Sequence, residues 1–501
     1  MGEIHKLRVK SPYELMKITD IKIENKPNKH GYLYLKCLID ESINFDSTIK
    51  ASAEDEICVY EEMEDANDSE TVNINKVDER NSKRLFHGIV QKVKTTNTNG
   101  VYYLEIEALT SSSKLDIKEK SRSFQNVKMT YDALISEILK DYSGFNFTQN
   151  VGKGQKIDKP LFQYKETDWN FLKRIASELS SELYCDIMNL NTAFYFGLPS
   201  KNTCSLTDEV EYEAVKDLKS FYEAKGVGHD YNDTDYFYYE VKAEDILEIG
   251  AKISYKQKDL YVREYEAYKY KEEIVYKYKL CREKGVWQKI IYNKKLKGTS
   301  LEGVVIATQN EELKLQLNID GSQDEDTAYW FSYKPPSVNI MYSMPLINET
   351  VRLYFPNEEG EEPIVTGCVR KNVDTCSKIS DTKNRYFHTE QGNEIAMLPD
   401  ELKVSCGSSN LSISFKDSRG VYLKSPESLN LKADGEILIR TRKKVKIKAQ
   451  SQILLTRRNK AHGVLIEGEF KFKGNNVIMD GSSRETYAPL IEREEDGYYG
   501  R

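Results

Sequence analysis

Between Val421 and Leu455 apolar residues come in pairs two positions apart, and the pairs recur every eight residues: Val421/Leu423, Leu429/Leu431, Ile437/Ile439, Val445/Ile447 and Ile453/Leu455. A spacing of two is the strand period, so both members of a pair face one side. The corners between them carry small, polar or turn-forming residues, as in Ser425-Pro426-Glu427-Ser428, Ala433-Asp434-Gly435-Glu436 and Ala449-Gln450-Ser451-Gln452. One short strand and one corner per repeat predict a stacked β-helix. Each coil brings only two apolar side chains, too few to enclose a core from one chain. The pattern therefore calls for several identical chains around one axis. An ordinary antiparallel meander is the competing expectation.

Upstream, the alternation is again mostly of strand type. Leu33, Leu35 and Cys37 alternate with Tyr32, Tyr34 and Lys36, and Glu56–Tyr60 is a second short strand. The acidic run Glu61–Glu70 reads as a solvated hairpin tip, because no Asp-x-Asp-x-Asx-Gly pattern would shape a cation cage. Arg84–Val90 and Val101–Leu109 follow, joined by a turn at Thr95–Gly100. The period then changes. Tyr131, Leu134, Ile135, Ile138 and Leu139 share one face of a helix with Thr130 as N-cap and Gly144 as stop. A second helix starts after Thr167, with Trp169, Leu172, Ala176, Leu179 and Leu183 on one face. Gly152-Lys153-Gly154 between them lacks the order of a phosphate-binding loop. Strands return in Tyr236–Val241 and Tyr261–Leu280, where Tyr interleaves with Lys and Glu and predicts a solvated sheet face. Lys294–Gly298 reads as a linker. Five short strands within Leu301–Asn372 have the size of an OB-type barrel.

Composition narrows the classes. With 501 residues the chain is too long for one ordinary core, and a net charge of −7 gives no overall polyanion-binding bias. Glutamates among the lysines of the Tyr-rich strands cancel attraction to phosphate, so no nucleic-acid partner is expected. The 34 tyrosines outnumber Phe and Trp together, which favours half-buried strand faces. Eight cysteines form no CxxC pair and suit buried thiols in a reducing compartment. No stretch has the length or apolarity of a signal peptide or membrane span.

Longer motifs carry a resemblance. Arg84-Leu-Phe-His-Gly-Ile-Val90, Ser123-Phe-Gln-Asn126 with the helix ending at Tyr142, and Gln163-Tyr-Lys-Glu-Thr-Asp-Trp-Asn-Phe-Leu172 occur in order. Met344–Phe355 with Glu362–Val369, and then Arg385–Ile395, follow them. Over about 400 residues this series resembles the spike proteins of contractile injection systems: the VgrG proteins of type VI secretion and the hub-spike proteins of contractile phage tails and tailocins. The resemblance implies a mainly β chain with barrel-type hub domains, an inserted helical section, an OB-fold neck and a C-terminal intertwined trimeric β-helix needle. Expected boundaries are 1–300 for a hub of two barrel-like β domains with the helical section at about 124–183, and 301–372 for the OB barrel. Linker and spike take 373–480, and the tail takes 481–501. The implied partners of the homotrimer are a hexameric inner tube protein, baseplate proteins, a PAAR-like tip protein or effector, and the target cell envelope. Such a protein would be cytoplasmic before firing, within an assembled particle, and delivered outward on contraction. The needle core would be the ten residues of the five pairs.

Chemistry finds little support in the sequence. An added hydrolase or effector domain needs on the order of 100 residues, and neither Lys371–Asn384 nor the stretch after Gly481 holds one. No HExxH, GxSxG, P-loop or paired CxxC occurs. No catalytic, cofactor-binding or metal residue is expected, and a spike-associated peptidoglycan hydrolase is the weakest alternative. A trimeric tail fibre or receptor-binding adhesin is the stronger one. His462 has no histidine two residues away, so an iron-binding tip is not expected. In the tail, Tyr487, Leu490 and Ile491 would dock a tip protein or cargo. From Val421 to Lys473 thirteen Lys/Arg face five Asp/Glu, a charge that solvates a narrow shaft.

Overall fold

The computed structural model describes residues 4–64, 74–75, 77, 82–189, 194–207, 209–226, 231–271, 273–334, 342–360, 362–372, 374–407, 410–456, 463–466, 468 and 470–473. The chain divides into two compact units, Met1–Val373 and Asp374–Arg501.

The first unit is built on one 12-stranded sheet. Its first half comes from Ile4–Lys10, Lys17–Asn25, Tyr32–Leu38, Glu56–Glu64, Ser82–Thr98 and Val101–Leu109, and its second half from strands between Lys201 and Cys281. The halves join where Lys17–Asn25 pairs antiparallel with Lys258–Tyr270, with Tyr265 opposite Asn25 and Ala267 opposite Ile23. One continuous apolar core underlies both halves, including Leu33, Leu35, Val59, Ile106, Val241 and Val262. The expected pair of barrel-like β domains is thus laid out as two halves of a shared sheet. Ser82–Thr98 runs far beyond the predicted Val90, because Lys92–Thr98 stays paired with Val101–Glu107 and the turn tightens to Asn99-Gly100. Both turn residues have positive φ, which Asn and Gly tolerate best.

Between the two halves in sequence lies the helical section, with helices Tyr131–Leu139 and Asp168–Glu178. Leu134, Ile135, Ile138, Trp169, Leu172 and Ile175 form its core. Thr167 caps the second helix by accepting from Asn170 N at 3.2 Å. That helix stops at Glu178, and Leu183 instead begins the strand Leu183–Cys185. Thr130 starts the first helix with extended backbone but makes no side-chain cap bond.

The strands Ser300–Gln309, Glu312–Leu317, Phe331–Ser332, Thr350–Tyr354 and Ile364–Cys368 form a separate sheet. Numbered one to five along the chain, they lie in the order three-two-one-four-five. A parallel bridge between Tyr333 and Val365 connects the two ends, so the sheet closes on itself as a barrel. Leu296 is fully buried in the barrel core, and Asn293 Nδ2 donates to Tyr164 O at 2.8 Å. Lys294–Gly298 is therefore a packed joint, not the linker that its lysines suggested.

The second unit begins with a five-stranded antiparallel meander, Arg385–His388, Glu394–Leu398, Glu401–Cys406, Leu411–Lys416 and Gly420–Lys424. A three-stranded meander follows at Ile453–Thr456, Gly463–Ile466 and Phe470–Lys473. From Ser425 to Gln452 the chain forms no strand of its own. Of the five octad pairs, only the first and last lie in strands, and these are antiparallel to neighbours in the same chain. The β-helix expected over this stretch is not formed by one chain. Two apolar residues per coil leave a single copy with nothing to pair or pack against.

Candidate functional site

The motif Gln163–Leu172 is the structural knot of the helical section. Asp168 opens its helix and is fully buried. Its Oδ1 accepts from Arg122 Nη2 at 2.6 Å and from Gln163 Nε2 at 2.8 Å, while Tyr142 Oη donates to Oδ2 at 2.6 Å. Lys120 Nζ stands 2.7 Å from the same Oδ2. Arg122 Nε donates to Gln163 Oε1 at 2.7 Å, which closes a ring of hydrogen bonds. Burial pushes the Tyr142 hydroxyl up to about 12, and the Asp168 carboxylate adds to the shift. Every oxygen of Asp168 is occupied by a structural donor, so the motif locks two paired strands, the segment after the first helix and the start of the second helix together. Glu166 supports the same lock from outside, pairing with Arg174 at 2.8 Å, and Arg174 Nη2 donates to Phe162 O at 2.6 Å.

This section is bolted to the barrel. Asp320 accepts from both Ser123 N and Ser123 Oγ at 2.6 Å, and Gln125 Nε2 donates to Leu315 O at 3.1 Å. Gln125 Oε1 in turn accepts from Tyr329 N at 3.3 Å. Phe162 completes the joint, with its ring 4.8 Å from Phe355 in an edge-on arrangement. Ser123–Asn126, legible in the sequence only as part of a motif, is thus the contact that fixes the barrel to the helical section.

Two expectations for polar runs need correction. Glu61 and Glu62, read as part of a solvated tip, are buried: Glu62 pairs with Arg8 at 2.7 Å and Glu61 accepts from Tyr276 Oη at 2.7 Å. The Tyr-rich strands present only one solvated face. Tyr265, Tyr276 and Tyr278 are almost wholly buried and pack on one another, with the Tyr265 ring 5.7 Å from that of Tyr278. Period-two alternation marks one face as buried, and the phenol hydroxyls hide that signal on a hydropathy scale.

In the second unit the apolar residues line up across strands. Phe387, Ile395, Val404, Ile413 and Leu423 are successive register partners, forming one ladder across all five strands. Met397, Leu402, Phe415 and Val421 form a second ladder two residues away. Residues two apart share a face, so both ladders lie on the same side. All nine side chains are between 39% and 65% exposed. The opposite face is more polar, with Lys403, Ser414 and Tyr422 as register neighbours. Sequence reasoning missed this face, although Leu402/Val404 and Leu411/Ile413/Phe415 show the same two-apart spacing as the octads.

The predicted needle residues begin on that face. Val421 and Leu423 end the two ladders and also form the first octad pair. Beyond them Leu429, Leu431, Ile437, Ile439, Val445 and Ile447 are 53% to 69% exposed, and Leu455 is 57% exposed, while Ile453 is half-buried. Tyr487, Leu490, Ile491 and His462 lie outside the described residues. Among the described residues no group of three or more His, Cys, Asp or Glu is placed to hold a metal ion, and no helix is long and apolar enough to cross a membrane. Cys37, Cys185 and Cys281 are buried thiols, whereas Cys204, Cys368 and Cys406 are exposed, unlike the expectation for all eight.

Residues 44–179 match the family model of the phage tail baseplate hub (GPD). No curated protein sequence matches the chain. Among solved structures, the E. coli c3393 protein is described as a component of the type VI secretion system with structural similarity to the T4 bacteriophage tail proteins gp27 and gp5. It aligns with a TM-score of 0.51 at 12% identity, over 73% of this chain and 100% of its own. A Francisella PdpA-VgrG complex in its lidded form aligns with a TM-score of 0.52 at 9% identity, over 85% of this chain and 80% of that one. A lidless PdpA-VgrG complex gives 0.51 at 10% identity, covering 85% and 98%. The chain is mainly β and similar in fold to these VgrG and phage-tail hub proteins, and residues 44–179 match the baseplate-hub family model.

Proposed function

We propose that this chain is the homotrimeric hub and spike of a contractile injection machine, capping the inner tube and puncturing the target envelope without chemistry of its own. In this reading residues 1–300 form the hub that meets the hexameric tube protein, 301–372 the OB-type neck, and 373–480 the linker and spike. One observation carries it: the two apolar ladders of the Arg385–Lys424 meander end on Val421 and Leu423, the first octad pair, and the ladder residues and the octad residues from Leu429 to Ile447 are exposed in a single chain. Burying a large apolar side chain contributes about 1.5–3 kcal/mol. A strip of this length on a soluble protein is a surface awaiting partners. Three copies around one axis would bury it on itself, because each copy supplies the same stripe.

The resulting shaft would be stiffened by a shared dry core and pushed forward by sheath contraction. The basic exterior of Val421–Lys473 would keep the shaft soluble. A PAAR-like tip protein or effector would take its place at the far end, with Tyr487, Leu490 and Ile491 as the docking residues. Light scattering of the purified full chain tests the central claim, with a mass of three chains expected. A monomer at micromolar concentration would overturn it. Co-purification with the inner tube protein tests placement, since a peripheral fibre would instead come away with other tail parts.

A further inference from the structure

A cleft of about 470 Å³ opens beside the turn between Lys17–Asn25 and Tyr32–Leu38, where that turn meets the first turns of helix Asp168–Glu178. Trp169 and Lys173, four residues apart, share one face of the helix and both line the cleft. Tyr32 and Leu109 add apolar wall, and the His30 ring lies 4.5 Å from the Trp169 ring. Lys26 and Lys29 complete the basic rim.

The charges in this cleft are unevenly satisfied. Its two carboxylates are already engaged. Glu24 is 2.9 Å from both Lys22 and Lys26. Asp116 accepts from the Thr167 hydroxyl and from Asn170 Nδ2 at 3.0 Å, and lies 3.5 Å from His30 Nε2. Lys173 is half-buried, and among the described residues no carboxylate is within ion-pair distance of it. Burial pulls its ammonium pKa down, and Asp116 only partly opposes the shift. Lys29 is exposed and likewise has no ion pair among the described residues. A partly desolvated ammonium with no carboxylate at ion-pair distance costs free energy that an incoming anion offsets.

We infer that this cleft receives an acidic peptide segment of another protein, with a carboxylate between Lys173 and Lys29 and the adjoining side chain against Tyr32 and Leu109. An inorganic anion would use the lysines alone, whereas the apolar wall suits the flank of a peptide. The volume lies within the range of ordinary ligand clefts. This role is independent of spike assembly, since it concerns residues of the first unit alone.

The test uses the full chain, a fluorescein-labelled hexapeptide of alternating Leu and Glu, and the same peptide with Gln for Glu. Fluorescence anisotropy should show binding of the acidic peptide and none of the neutral one. Combined Lys29→Gln and Lys173→Gln should weaken binding roughly tenfold or more, whereas Lys173→Arg alone retains it. Lys94→Gln, further along the Ser82–Leu109 hairpin and paired with Glu105, should leave affinity within about twofold. Equal affinity of the cleft variant and the parent overturns the inference. So does an equal loss in the hairpin variant, which means diffuse charge attraction. Inorganic phosphate competing while no peptide binds would also overturn it, since the site would then take small anions only.

Discussion

Arg122 Nη2 stands 2.6 Å from Asp168 Oδ1, and Asp168 has no exposed surface. A carboxylate so placed is held by its donors, and its loss leaves two cations facing each other beside it. Asp168→Ala should therefore destabilise the first unit by about 3 kcal/mol, the low end for breaking a buried pair. The low end applies because Arg122 and Lys120 keep 20% and 17% exposure and recover some hydration. Near-ultraviolet circular dichroism on heating reads the effect, and a melting point within about one degree of the parent would show the knot to be dispensable.

Ile437 is 53% exposed in one chain and belongs to the third octad pair. In a threefold needle, Ile437→Asp brings three like charges into the shared core, which should abolish the trimer while leaving the first unit folded. Light scattering and a near-ultraviolet spectrum, taken together, separate loss of assembly from loss of fold. A trimer of normal mass in this variant would sink the needle model.

The meander makes a second, separable prediction. Ile413 sits in the middle of the longer ladder and is 41% exposed, so a lysine there meets no clash in the isolated sheet. Ile413→Lys is expected to shift the trimer towards monomer at low concentration, and Lys403→Ala on the opposite face is expected not to. If the two variants associate alike, the ladder face is not the interface.

Burial holds His30 below its ordinary value of 6.5; Lys173 lowers it further and Asp116 opposes. Below that pH the unfolded chain takes up a proton more readily than the folded one. The stability contributed by neutral His30 is thus present above pH 6.5 and is lost as the pH falls. His30 also contacts Ser112 and Trp169, so His30→Gln should cost some stability at neutral pH but flatten the acid slope. Urea midpoints of parent and variant across this range decide it. Parallel slopes would remove His30 from the account.

The helices were legible because amphipathic spacing and a Thr cap are local signals. The strands of the barrel were legible because turn residues punctuate them. The ionic knot was not, since Lys120, Arg122, Tyr142, Gln163 and Asp168 lie up to 48 positions apart and meet only through the pairing of Glu119–Phe124 with Leu161–Thr167. Glu61 and Glu62 misled for a related reason. A carboxylate in an acidic run looks solvated until a tyrosine 215 residues away is brought over it. The octad register was the clearest periodic signal in the chain, yet in one copy its residues are mostly exposed and only the first and last pairs lie in strands.

That bare face also has a consequence in time. The first unit closes its cores with its own residues, so its folding is a first-order event, indifferent to how many copies exist. In the proposed trimer the face is covered by other copies, so its burial would wait on encounters, and the wait would lengthen as the chain becomes scarcer. During that interval each new molecule carries nine partly exposed apolar side chains on a sheet with two open edge strands. Rapid, clustered synthesis shortens the exposure, and slow, dispersed synthesis prolongs it. The yield of finished protein should then depend on the rate of expression as well as on the sequence.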